Sequence, residues 1–495
     1  MSRRRPYGPV RAATRPGAAP SCSHSRNATR AAFFTAIAAV TAGCATLDPT
    51  PAGSANPPPP LVATGAAAAQ PDQRASATAA QPVALGEAAL TLERALAIAR
   101  ARNPELVAGA WEAEAAAARR RQAAAGHWPR LDLAAAYRHH WHAERLVPAR
   151  GRVLDADFAH DILTADLVLR VPLLAGGRVV SAAAAAELEA AAARRQLARS
   201  RAELVYNVKN TFYALLGQDR AIDATLQARA ALLAHRRKTE ELIAARKAAR
   251  VDRLNVEVRI AELDHGLIVQ RGQRAVYQRL LASLLGIEQI PDAGLQPAGE
   301  LGTAAAAPDA ERVLAAAVAQ RPDMAALELR IRAQAERVDA ARAAYWPVLA
   351  AKGTYGARLG IDGKYDDLGF AGLELALPLF DGLATPARVD EQRAALRALR
   401  ERRRQLGLSI RRQVESALIE LRSATARAAA TEKAIAMARE SLRIARAKAA
   451  LGRGTTMDVL DAQAALLAAE TRHCQARVDQ HTARALLELA AGGGS

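Results

Sequence analysis

Asp458 and Asp461 stand three residues apart in the stretch GRGTTMDVLDAQ, which runs from Gly452 to Gln463. On a helix that spacing puts both carboxylates on adjacent turns of one face. Two readings of the pair stand. Thr455-x-x-Asp458 has the spacing of a variant capping box, which starts a helix by satisfying its first free amides and leaves Asp461 solvated. Gathered around a symmetry axis, the same face forms a carboxylate ring that attracts cations, repels itself and constricts a passage. Asp458 suits both roles. Asp252 and Asn255 repeat the pattern 206 residues earlier, but Arg246 and Ala248 stand there in place of Gly452 and Gly454.

Other reactive side chains carry less. His139, His140 and His142, with His160 nearby, supply imidazoles, the commonest metal ligands. On a strand, however, His140 and His142 share a face while His139 points away, so the spacing reads as a rim beside Trp141 and predicts no metal site. Hydrolase and redox signatures (HExxH, CxxC, GxSxG) are missing, and Gly363-Lys364 runs into Tyr365 without the upstream glycine of a phosphate loop. The chain therefore reads as no enzyme and calls for no cofactor. Arg178 and Arg388 lie where strands give way to helices and read as snorkelling side chains, and Cys474 as a small buried residue.

The net charge of +18 raises nucleic acid as a partner, but its distribution argues against one. Seven arginines precede residue 44 without an acidic neighbour, and the remaining charge is scattered among glutamates on helical faces. Arg30 followed by AAFFTAIAAVTAGC has the order of an export signal over residues 1–43. Gly43-Cys44 resembles a lipobox, although Thr41 occupies the place usual for leucine. Either Cys44 carries a covalent lipid, a diacylglycerol and an N-acyl chain, or an ordinary signal is cleaved nearby. Residues 44–88, rich in proline and alanine, read as an extended linker.

Beyond the linker the chain is written twice. The segments RNPEL and QRPDM, the pairs Trp128-Pro129 and Trp346-Pro347, and Tyr137 and Tyr355 all lie 218 residues apart. Further on, VPLLAGG and LPLFDGL, Val208 and Val414, and Asp252 and Asp458 lie 206 apart. Two structural repeats follow, 89–290 and 309–491, joined by a linker over 291–308. Period-two alternation after Trp128-Pro129 and before Pro172, and again over Gly369 to Leu377, predicts a two-stranded hairpin per repeat, each strand about ten residues long, with one apolar and one polar face. Elsewhere proline is absent from Pro172 to Pro291 and after Pro386, and Leu204, Val205, Val208, Phe212, Leu215 and Leu216 trace a helical stripe. The fold class is therefore mainly α with a small β part, its four strands carried by long coiled helices. Four strands cannot close a barrel alone, so several chains must share one.

These motifs, in order and doubled, resemble the TolC-type outer membrane factors of Gram-negative bacteria, especially lipoprotein members paired with RND pumps, over residues 89–491. The resemblance implies a homotrimer: a transmembrane β-barrel in outer membrane lipid, continued by a periplasmic α-helical barrel. It implies a passive efflux duct for drugs or other small toxic compounds, with an inner-membrane RND-type pump and a periplasmic adaptor as partners. Metal efflux, type I protein secretion and a periplasmic coiled-coil scaffold or adaptor are the competing roles. It places Asp458 and Asp461 at the periplasmic aperture, with Asp252 and Asn255 as further candidates. Gly452, Arg453, Gly454 and Thr455 become the tip turn and adaptor contact. Some members close the tip through a tyrosine-linked network; here Ala449 occupies the tyrosine's position.

Overall fold

The computed structural model describes residues 90–147, 157–290, 294–302 and 308–493, all within one unit, Ala84–Ser495. The expected leader, Cys44 and the linker over 44–88 lie outside the described residues. In chain order the elements are α1 (Leu92–Arg102), α2 (Pro104–Ala124), β1 (Arg130–Arg145), β2 (Phe158–Ala175), α3 (Arg178–Ala244) and α4 (Arg250–Leu285), then α5 (Ala310–Gln320), α6 (Pro322–Arg342), β3 (Val348–Gly360), β4 (Tyr365–Ala376), α7 (Ala384–Ala450) and α8 (Thr456–Ala490).

Helix length organises the molecule. α3 and α7 each run 67 residues, about 100 Å at 1.5 Å per residue. α4 and α8 are 36 and 35 residues long, and α2 and α6 are 21 each. One short and one medium helix therefore stack end to end along each long one. α2 and α4 follow each other along α3; α6 and α8 pack against both α3 and α7.

The stacking junctions explain the doubled proline motif. Proline disfavours helical geometry in the residue before it, so Asn103 and Arg321 interrupt the chain and become free to bridge. Asn103 accepts from the Leu106 amide at 3.1 Å, starting α2, and donates to the Leu284 carbonyl at 3.0 Å, closing the end of α4. Arg321, only 1% exposed, donates to the Ala490 carbonyl at the end of α8 (3.4 Å), to Gln413 on α7 (2.7 Å) and through its fork to Asp323 (2.6 and 3.1 Å). A cation also suits the negative end of α8. Gly286 ends α4 at φ +68°, where a Cβ would lie 2.5 Å from the Arg102 carbonyl oxygen. The two main cores sit beside these junctions, one around Phe212, Leu215, Leu281 and Leu285, the other around Ile410, Val414, Leu421 and Leu487. Leu295, from the expected inter-repeat linker, is buried in the first, and Leu90 bridges to Pro297, so part of that linker is packed structure.

The hairpins do not stand apart: β2 pairs with β3, giving one antiparallel sheet in the order β1-β2-β3-β4. Its strands run 16, 18, 13 and 12 residues, longer than the ten expected, because alternation outlasts the apolar segment that marks it in sequence. The register puts odd-numbered residues of the aligned segments on one face: Leu131, Leu133, Leu167, Leu169, Tyr355, Leu373. Asp132, Arg138, Asp166, Arg170, Lys352, Arg358 and Glu374 take the other, which also carries Leu368 and Phe370. The β1–β2 pairing register shifts between His139 and Glu144, beside the histidines. Among the described residues no helix is long and apolar enough to cross a membrane.

Truncating Arg321 leaves a half-buried Asp323 without its fork. Arg321→Ala should destabilise the chain by about 3 kcal/mol, whereas Asn103→Ala should cost about 1 kcal/mol. Denaturant unfolding followed by helical circular dichroism checks the order; equal effects would remove the arginine from the junction's main support.

Candidate functional site

The turns at the far ends of the long helices hold the predicted site residues. α7 ends at Ala450, and Gly452 follows in the left-handed region at φ +69°. Its amide donates to the Ala449 carbonyl (3.1 Å) and that of Arg453 to the Lys448 carbonyl (2.9 Å), the two bonds of a Schellman ending. The first repeat makes the same ending with a side chain in place. Arg246 sits at φ +60°, its amide donating to Ile243 (2.9 Å) and that of Lys247 to Leu242 (2.8 Å). The turn is thus the same in both repeats, and only the strain differs, since a Cβ in this region costs roughly 1–2 kcal/mol. Gly454 does not take positive φ. A Cβ there would meet Lys448 Cβ and the Ala449 nitrogen at 3.1 Å.

Thr455 starts α8 with both legs of a capping box. Its amide donates to Asp458 Oδ2 (2.8 Å), its hydroxyl to the same oxygen (2.7 Å), and the Asp458 amide donates back to Thr455 Oγ1 (3.1 Å). In the first repeat only one leg exists. Asp252 accepts from the Ala249 amide (3.0 Å), but alanine offers no oxygen, and the Asp252 amide turns to the Ala249 carbonyl (3.1 Å). Hydrogen bonds from the Thr455 amide, then its hydroxyl, hold the Asp458 carboxyl below the ordinary aspartate range.

Asp461 behaves differently. It faces α4, where Arg259 Nη2 lies 3.6 Å away while the same guanidinium donates to Glu262 at 2.8 Å. The two carboxylates therefore take different partners: Asp458 caps, and Asp461 links the second helical pair to the first. Leu232, Val256, Ile260 and Leu460 cluster near this link. Asn255 is half-buried and Asp252 likewise. Arg259 was not legible as a site residue, because its partner is about 200 residues away and no local spacing marks it.

At the other end of the molecule the histidines separate. His139 Nδ1 lies 2.6 Å from Asp161 Oδ1, which also accepts from the Tyr137 hydroxyl at 2.7 Å. His140 pairs with Glu144 (3.4 Å), and the exposed Trp141 packs edge-on against His139. Among the described residues no group of three or more His, Cys, Asp or Glu side chains is gathered for a metal. Arg178 opens α3 and Arg388 lies in the first turns of α7, both exposed. Cys474 is only partly buried, its thiol donating to the Gly217 carbonyl at 3.3 Å.

Hydrogen exchange at the two turns reads these differences. Arg246→Gly should slow exchange at the end of α3 by the equivalent of about 1 kcal/mol, and no slowing would remove the strain. Because the folded Asp458 pKa is depressed, its stabilisation is complete above the unfolded value of 3.8 and is lost as pH falls through the lower folded value. Protection at the start of α8 should accordingly drop only below about pH 4; loss already near neutrality would contradict the cap.

The sequence model of the outer membrane efflux proteins matches residues 95–287 and 313–493. Solved structures share the fold. A membrane protein from Pseudomonas aeruginosa is 23% identical at TM-score 0.70, over 81% of this chain and 92% of that one. The outer membrane protein VceC from Vibrio cholerae is 20% identical at TM-score 0.68, over 81% and 96%. The open state of the Neisseria gonorrhoeae MtrE outer membrane channel is 21% identical at TM-score 0.65, over 81% and 89%. No curated protein matches the chain.

Proposed function

The chain belongs to the outer membrane efflux protein family, and from that premise we propose that three copies close one barrel across the outer membrane and continue it as a helical tunnel through the periplasm. The observation that carries this is the sheet. β1 and β4 are each partnered on one side only, and known single-chain membrane barrels need at least about eight strands. On the apolar face Leu131, Leu133, Leu373 and Leu375 are 62–71% exposed in a single chain. Such a face suits lipid, and the charged face behind it suits a water-filled lumen. The copy number of three comes from the resemblance.

In this reading the tips of the helices are the periplasmic aperture. Asp458 and Asp461 face it from the second repeat, Asp252 and Asn255 from the first. The turn Gly452-Arg453-Gly454-Thr455 meets a periplasmic adaptor, and an inner-membrane pump of the RND type supplies the energy. The duct itself is passive and carries drugs or other small toxic compounds outward. A lipid on Cys44 adds a second attachment to the membrane. The Arg259–Asp461 pair fits this reading, because it ties α8 to α4 near the helix tips.

The charge and the cap can be separated experimentally. Asp458→Asn keeps an acceptor for the Thr455 amide, so the double variant Asp458→Asn, Asp461→Asn should fold while losing both charges and the link to Arg259. Purified trimers in planar bilayers should then show at least about twofold higher conductance and weaker cation preference. Unchanged conductance and selectivity would remove the aperture assignment.

A further inference from the structure

Three cations lie side by side on the polar face of the sheet. Arg130 on β1 is directly opposite Arg170 on β2, and Arg170 is directly opposite Lys352 on β3. The fourth position in the row is Gly372. Neighbouring strands are about 4.8 Å apart, and like charges set directly opposite each other destabilise a sheet. Among the described residues none of the three forms an ion pair. Farther along the same face the arrangement is different, since Arg358 donates to Asp166 at 2.7 Å and each cancels the other. The nearest acids flanking the row are Asp132, two residues beyond Arg130, and Glu374, two beyond Gly372. Neither closes an ion pair with the row.

We infer that Arg130, Arg170 and Lys352 form an anion-binding belt at the inner end of the barrel, for compounds bearing carboxylate or phosphate groups. The inference rests on the duct reading, which puts the polar face inside and sets three such rows around one lumen. Arg130 is the first residue of β1, so the belt lies at the helical end of the sheet. An anion placed among the three relieves their mutual repulsion, and the two guanidinium forks match the planar oxygens of both groups. The belt and the aspartates stand at opposite ends of α3, about 100 Å apart and far beyond the roughly 8 Å screening length at physiological salt. They act independently.

The test is block of the full-length channel in planar bilayers by tripolyphosphate added on the barrel side. Half-block of the wild type should need at least tenfold less tripolyphosphate than the variant Arg130→Gln, Arg170→Gln, Lys352→Gln. Asp132→Asn should tighten the block, and 1 M salt, where screening falls to about 3 Å, should erase the difference. If the triple variant gives no channel, Lys352→Gln alone should weaken the block and the charge-keeping Arg170→Lys should retain most of it. Equal block in wild type and charge-removing variants, or stronger block by hexaamminecobalt(III) from that side, overturns the belt. A wild type that conducts without being blocked overturns the belt and leaves the duct standing. A wild type that does not conduct overturns both.

Discussion

A sheet of four strands with one apolar face leaves two things unburied within a single chain: that face, and the outer hydrogen-bonding edges of β1 and β4. In hydrocarbon each unpaired backbone group costs several kcal/mol, so open edges are not tolerated there and a sheet must close. Closure by copies of the same chain satisfies the edges, turns the apolar face to lipid and encloses the charged one. The long helices follow from that requirement. Each is fed directly by the sheet, α3 from β2 through two glycines and α7 from β4, so a closed ring of strands continues as a ring of helices.

Keeping helices of that length straight needs support along them, and the doubled chain supplies it by stacking a short and a medium helix on each. Asn103 and Arg321 do the same work with different chemistry. A neutral amide suffices where it bridges two backbone groups, whereas the buried guanidinium needs Asp323, Gln413 and a carbonyl to offset its desolvation. The tips show the same tolerance. Arginine and glycine hold one left-handed position, and a complete and a half capping box start the returning helices. Repetition fixes the backbone here, and side chains vary around it.

Much of this was legible in residues alone. Offsets of 218 and 206 exposed the repeats, period two marked the strands, and Thr455 with Asp458 announced the cap that the structure contains. What escaped has physical reasons. Arg259 meets Asp461 across some 200 residues, and spacing carries no information about such a contact. Arg321 was visible only as part of a motif, since nothing local says that an arginine before proline is buried. The exchange of Gly452 for Arg246 left open whether the two turns match, and they do, because the Schellman hydrogen bonds outweigh the strain of a Cβ. The strand lengths and the irregularity after His139 depend on pairing register, which periodicity does not fix beyond the apolar segment.

The central claim is that the sheet closes between chains. It is tested most directly by amide hydrogen exchange on the detergent-purified protein, read at the alternate amides of β1 and β4 that have no partner within the chain. Closure predicts that these exchange as slowly as the paired amides of β2 and β3. Fast exchange confined to the two edge strands would contradict it.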